Sequence, residues 1–117
     1  MNALIAVSSE LISKSISNCL IHIEHSYSIA HSFSDAALMY ESTQPDIVIA
    51  ELTMVNEQQI NLRQLIRNQF HAHTPILMTG SISKHNALLL EVEQGANAFI
   101  CFPIQKEVFL EKYLSLI

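Results

Sequence analysis

Short apolar runs of strand length alternate strictly with segments of helical spacing, and this alternation constrains the fold more than any other feature of the chain. Ala3-Leu4-Ile5-Ala6-Val7 reads as a strand buried on both faces, ended by Ser8-Ser9-Glu10. Leu11, Ile12, Ile16, Cys19, Leu20 and Ile23 then follow helical spacing. Tyr27 to Phe33 alternates like a second strand, and Ser34 is the expected N-cap of a helix from Asp35 to Thr43. Pro45-Asp46 breaks the chain before a third strand, Ile47-Val48-Ile49-Ala50, which exits through Glu51-Leu52-Thr53-Met54-Val55. Asn56 is the expected cap of a helix carried by Ile60, Leu62, Leu65, Ile66 and Gln69. Pro75-Ile76-Leu77-Met78 is the fourth strand, ending at Thr79-Gly80-Ser81. Ser83 should cap a helix running to Gln94, and Gly95 stands where a helix end favours a left-handed residue. Ala98 to Cys101 is a fifth strand, closed by Phe102-Pro103, and Leu110, Tyr113, Leu114 and Ile117 mark a last helix.

Strands and helices in such alternation predict one α/β domain over 1–117, a doubly wound parallel sheet with helices on both faces and right-handed crossovers. Ligands in such sheets sit at the carboxyl ends of the strands. The segments Ser8–Glu10, Glu51–Met54, Thr79–Ser81 and Cys101–Pro103 should share that edge. Glu51, at the end of the most buried-looking strand, is the residue on which a functional reading turns.

Composition narrows the classes. With 117 residues, 50% of them apolar and 15% charged, the chain is sized for one globular domain that buries roughly 65% of its unfolded surface. No apolar run approaches a membrane span, and Met1-Asn2-Ala3-Leu4-Ile5 lacks the basic start of a signal peptide. The net charge of −5 and six scattered Lys and Arg residues argue against a nucleic-acid surface. Cys19 and Cys101 read as small core residues rather than a disulfide framework, which points to a cytoplasmic protein.

At the edge segments the chain resembles a response-regulator receiver domain of two-component signalling, and the resemblance runs from Leu4 to about Leu116. Pro45 to Met54 resembles the segment carrying the phosphoacceptor Asp, Pro75 to Gly80 the fourth strand with its switch Thr, and Gly95 to Pro103 the Gly-Ala lead into the fifth strand and the Lys-Pro after it. The resemblance implies a flavodoxin-like (βα)5 fold with strand order 2-1-3-4-5. It also places Phe99 at the aromatic switch position and Thr79 at the switch hydroxyl.

The departures are informative. Ser8 and Ser9 stand where the family has an acidic pair, Glu51 where it has the phosphoacceptor Asp, and Phe102 where it has Lys. Phosphoryl transfer to a carboxylate needs an in-line oxygen and cations to offset charge on the transferring oxygens. Mg²⁺ prefers carboxylate oxygens, and two serine hydroxyls are weak substitutes. Phe102 brings no charge, and a glutamate sets its carboxylate roughly 1.5 Å further out than an aspartate. The expectation is a pseudo-receiver: a non-enzymatic, phosphorylation-independent interaction module with Mg²⁺ binding weak or lost. Two roles are open to Glu51: a fixed charge standing in for the phosphorylated state, or a space-filling carboxylate that hydrogen-bonds Ser8, Ser9 or backbone amides. Two alternatives remain, a flavodoxin-like sensor of a nucleotide or flavin and a receiver that keeps residual phosphorylation at Glu51 or Ser9.

Other groupings carry less. His22 with His25, and His71 with His73, lack the partners of a zinc site and read as solvated helix ends. Ser8 to Ser15 forms a Ser-rich turn into a helix, where phosphate could bind, but it has no glycine, and Glu10 repels anions. No Ser-His-Asp or Cys-His set is visible. The fourth helix is apolar around more than one face, so some of its leucines should be exposed. Leu88, Leu89, Val92 and Phe109 are the expected interaction face, formed with the fifth strand and last helix and suited to a homodimer or protein partner. Receiver domains often continue into an effector domain, and an effector joined after Ile117 is one of the partners the resemblance allows.

Overall fold

The central strands are built mostly from aliphatic residues with no polar side chain to satisfy, so they pair and then bury on both faces. The structure, a computed structural model, describes Met1–Ile117. Its elements in chain order are β1 (Asn2–Ala6), α1 (Glu10–His22), β2 (Ser26–Ala30), α2 (Phe33–Thr43), β3 (Ile47–Glu51), α3 (Leu62–Gln64), β4 (Ile76–Ser81), α4 (His85–Glu93), β5 (Ala98–Phe102) and α5 (Lys106–Ser115). The five strands form one parallel sheet in the order β2-β1-β3-β4-β5. The parallel sheet with helices on both faces is what the alternation predicts, and its strand order is the flavodoxin-like one that the resemblance implies.

Strand alternation divides the core in two. Leu4, Ala6, Val48, Ala50, Ile76 and Met78 pack under α2, α3 and α4. Ala3, Ile5, Val7, Ile47, Ile49 and Leu77 pack under α1 and α5, with Phe109 stacked on Tyr113 at 5.5 Å between ring centroids. No helix is long and apolar enough to cross a membrane.

Several boundaries differ from the sequence reading. The second strand ends at Ala30, and Ser32 rather than Ser34 caps α2 by accepting the Asp35 amide at 3.2 Å. Asn56 caps no helix: its side-chain oxygen accepts the amides of Gln58 and Ile60 in a local turn. The third helix begins after Asn61, in a capping box with Gln64, and continues as a π-helix over Leu65–Gln69. The fourth strand runs through Ser81, and a 3-10 turn at Ile82–Lys84 delays α4 to His85.

The expected interaction face needs correction at three positions, Leu88, Val92 and Phe109. Leu88 is fully buried, packed over Gly80 of β4. Phe109 is fully buried in the α1–α5 layer. Leu88 and Val92 share the inward face of α4 at i, i+4 spacing, while Leu89 and Leu90 point outward, 44% and 50% exposed. In a run of three leucines, only the position of the sheet decides which one it covers.

Candidate functional site

Parallel pairing brings the carboxyl ends of β1, β3, β4 and β5 to one edge. Glu51 pairs in register with Thr79, and Ser8 follows the end of β1 beside them. Glu51 lies two residues beyond Ile49 and Thr79 two beyond Leu77, so both side chains belong to the α1–α5 face. The amide and the hydroxyl of Ser8 both donate to Oε1 of Glu51, at 2.9 and 2.7 Å. Ser9 does not join them: its hydroxyl accepts the Ile12 amide and caps α1. Glu51 is therefore a carboxylate with one oxygen doubly hydrogen-bonded and no cation paired with it.

Thr79 is wholly buried, and its hydroxyl has no hydrogen-bond partner. A buried hydroxyl normally finds one. Phe102 ends β5, and its peptide bond to Pro103 is cis. Phe99 is half-buried on the opposite face of β5 from Ile100. His85 packs edge-on against it at 5.3 Å, and the Lys112 ammonium lies 5.3 Å from its ring centre while donating to its carbonyl oxygen at 2.9 Å. Lys112 is thus engaged with Phe99 by both its ring and its carbonyl. Ile82, Phe99, Phe102, Val108 and Lys112 line an open groove of about 430 Å³ beside β5.

Sequence reasoning missed a polar network joining α3 to α4. Arg63 Nε donates to Glu91 Oε1 at 2.7 Å, Asn61 donates to the same oxygen at 2.9 Å, and Arg63 also reaches the Gln94 carbonyl. Arg67 spans the Gly95 and Ala72 carbonyls and the Asn97 side chain. Burial pulls its guanidinium below the ordinary arginine value, the neighbouring Arg63 charge adding to the effect. The partners lie about thirty positions apart, and no short-range spacing announces them.

Neither cysteine is disulfide-bonded. Burial raises the Cys19 thiol pKa, and its sulfur donates to the Ser15 carbonyl. His25 is held by the Tyr113 hydroxyl at 3.0 Å, while His22, His71 and His73 are exposed. No three His, Cys, Asp or Glu side chains converge closely enough to hold a metal ion.

No protein-family model matches the chain, and no curated protein matches it either. Solved structures do. The receiver domain of NtrX from Brucella abortus superposes with a TM-score of 0.88 over 97% of this chain and 96% of its own, at 15% identity. The receiver domain of the Francisella response regulator 1452 superposes with a TM-score of 0.85 over 98% and 94%, also at 15% identity. The fold is that of a receiver domain. In the longer NtrX from Brucella abortus the match, at a TM-score of 0.88 and 15% identity, covers 98% of this chain but 26% of that one. The receiver fold thus places Glu51, Thr79 and Phe102 on the same strand-end edge that its topology leaves open.

Proposed function

We propose that this chain is a signalling module of receiver fold that works by protein interaction, without phosphorylation and without catalysis, in the cytoplasm. The observation that carries the reading is the closure of Glu51 on Ser8. Phosphoryl transfer needs a free carboxylate oxygen and two sources of positive charge. Oε1 of Glu51 is tied down by two donors, its other oxygen has no cation paired with it, and Phe102 stands at the end of β5 with no charge to offer.

The residues at this edge do not fit Mg²⁺. The ion takes near-octahedral oxygen coordination, typically with one or two carboxylates and several waters. Glu51 is the one carboxylate aligned with Thr79, Ser8 is spent on it, and Ser9 is spent on the helix cap. Glu51 in this reading stabilises the β1–α1 turn.

The docking face is the outer side of α4, β5 and α5. Leu89, Leu90, Ile82 and Val108 are exposed there, beside the groove lined by Phe99 and Phe102. The partner is a protein, or an effector domain joined to this one, as the length of NtrX illustrates for that protein. Backbone NMR with Mg²⁺ and beryllofluoride tests the central claim. Resonances around Glu51 and Thr79 should stay in place; large shifts there would overturn the reading in favour of residual phosphoryl acceptance.

A further inference from the structure

The sheet has two outer strands, and they are treated differently. β5 has Lys112 laid against it, donating to the Phe99 carbonyl, and Pro103 directly after it. β2 has neither. Its sequence is Ser26-Tyr27-Ser28-Ile29-Ala30, with no charge, proline or glycine, and β1 is its sole neighbour. Edge strands in native proteins usually carry a charge, a proline or a cover that blocks further pairing.

The hydrogen-bond parity of β2 is fixed by its neighbour. The Ser26 amide donates to the Met1 carbonyl and the Val7 amide to the Ala30 carbonyl, at 3.1 and 3.2 Å. Ser26, Ser28 and Ala30 therefore turn their peptide groups toward β1, while Tyr27 and Ile29 turn theirs outward. The side chains of Tyr27 and Ile29 are half-buried on the α1 side, where with the exposed Ile21 they form the apolar part of a groove of about 420 Å³ whose remaining lining is polar and includes Glu10, Lys14 and His31.

We propose that two copies of this chain associate by antiparallel pairing of their β2 strands about a two-fold axis at Ser28. Tyr27 of each copy then faces Ile29 of the other as a hydrogen-bonded pair, with Cα atoms about 5.5 Å apart. That register engages both outward N–H groups and both outward carbonyls of each strand. A shift of two residues in either direction pairs one of these residues beyond the end of the strand. Each Tyr–Ile contact is an aromatic–β-branched cross-strand pair, a favourable class. The axis runs perpendicular to the sheet, so both α1 helices stay on one face and the two Ile21 side chains flank the seam. No charge is buried in β2, and the result is a continuous ten-stranded sheet. This contact is separate from the α4–β5–α5 face and does not depend on the reading of Glu51.

The test is amide hydrogen exchange by NMR on the whole chain over a roughly hundredfold range of concentration, beside sedimentation. As dimer forms, the Tyr27 and Ile29 amides should slow by about tenfold or more, while Ser28 and Ala30 are protected at every concentration. Tyr27→Lys should be monomeric with an unchanged circular-dichroism spectrum, and Tyr27→Phe should keep the dimer. Leu89→Asp should leave it intact. The proposal is overturned by a strict monomer at all concentrations. It is equally overturned by a dimer whose Tyr27 and Ile29 amides exchange as in the monomer, or by one lost in Leu89→Asp and kept in Tyr27→Lys.

Discussion

Ser8 gives both its amide and its hydroxyl to a single oxygen of Glu51, tying the first turn after β1 to the end of β3 across 43 positions of sequence. The hydroxyl contact is charge-assisted, yet Ser8 is exposed, so solvent competes for it. Ser8→Ala removes one donor and leaves the amide. It should cost about 1 kcal/mol, a fall of roughly 4–8 °C in Tm for a domain near this size. Thermal unfolding followed by circular dichroism measures it.

If the edge lost its chemistry through Ser8, Ser9, Glu51 and Phe102, restoring the charges should restore it. A variant combining Ser8→Asp, Ser9→Asp, Glu51→Asp and Phe102→Lys should bind Mg²⁺ and accept phosphate from a small-molecule donor. Aspartate at position 9 can still cap α1. Mass spectrometry after incubation with acetyl phosphate reads the outcome: a mass gain in the variant and none in the parent.

Thr79 hides an unpaired hydroxyl, and such a group costs the fold its desolvation penalty. Thr79→Val keeps the shape and removes the orphan. Urea unfolding should show it unchanged or more stable by about 1 kcal/mol.

The Arg63–Glu91 pair has side chains only 5% and 11% exposed. Removing one partner leaves a buried charge alone, so Glu91→Leu or Arg63→Met should each destabilise by about 3–5 kcal/mol. The double change Arg63→Met with Glu91→Leu should recover most of that loss. Chemical denaturation of the three variants gives the coupling directly.

Tyr113 sets the alkaline limit. Burial, with a smaller contribution from Asp46, pushes its hydroxyl up to about 12 from an ordinary value of 10. Between those values the unfolded chain releases this proton while the folded chain keeps it. The tyrosine's contribution to stability is complete below pH 10 and falls as pH rises toward 12. Of the three tyrosines, one should therefore ionise late in an ultraviolet phenolate titration, and Tyr113→Phe should abolish that late step.

Much of this was legible in one dimension. β-branched and aliphatic runs such as Ile47–Ala50 have no polar side chain to satisfy, so they specify buried parallel strands, and their alternation with helices fixes the class of fold. The same periodicity put Glu51 and Thr79 at strand ends. Helix starts were less legible, because Ser32, Ser34, Asn56, Asn61 and Ser83 are all competent caps and the choice depends on where each strand releases the chain. What the tertiary structure alone decided are the relations between distant residues. It chose Leu88 over Leu89 for the core, aimed Ser8 rather than Ser9 at Glu51, engaged Lys112 with Phe99, and buried Arg63 against Glu91. Periodicity records which side of an element is apolar. Which neighbour that side meets is set by the packing of elements that sequence leaves far apart.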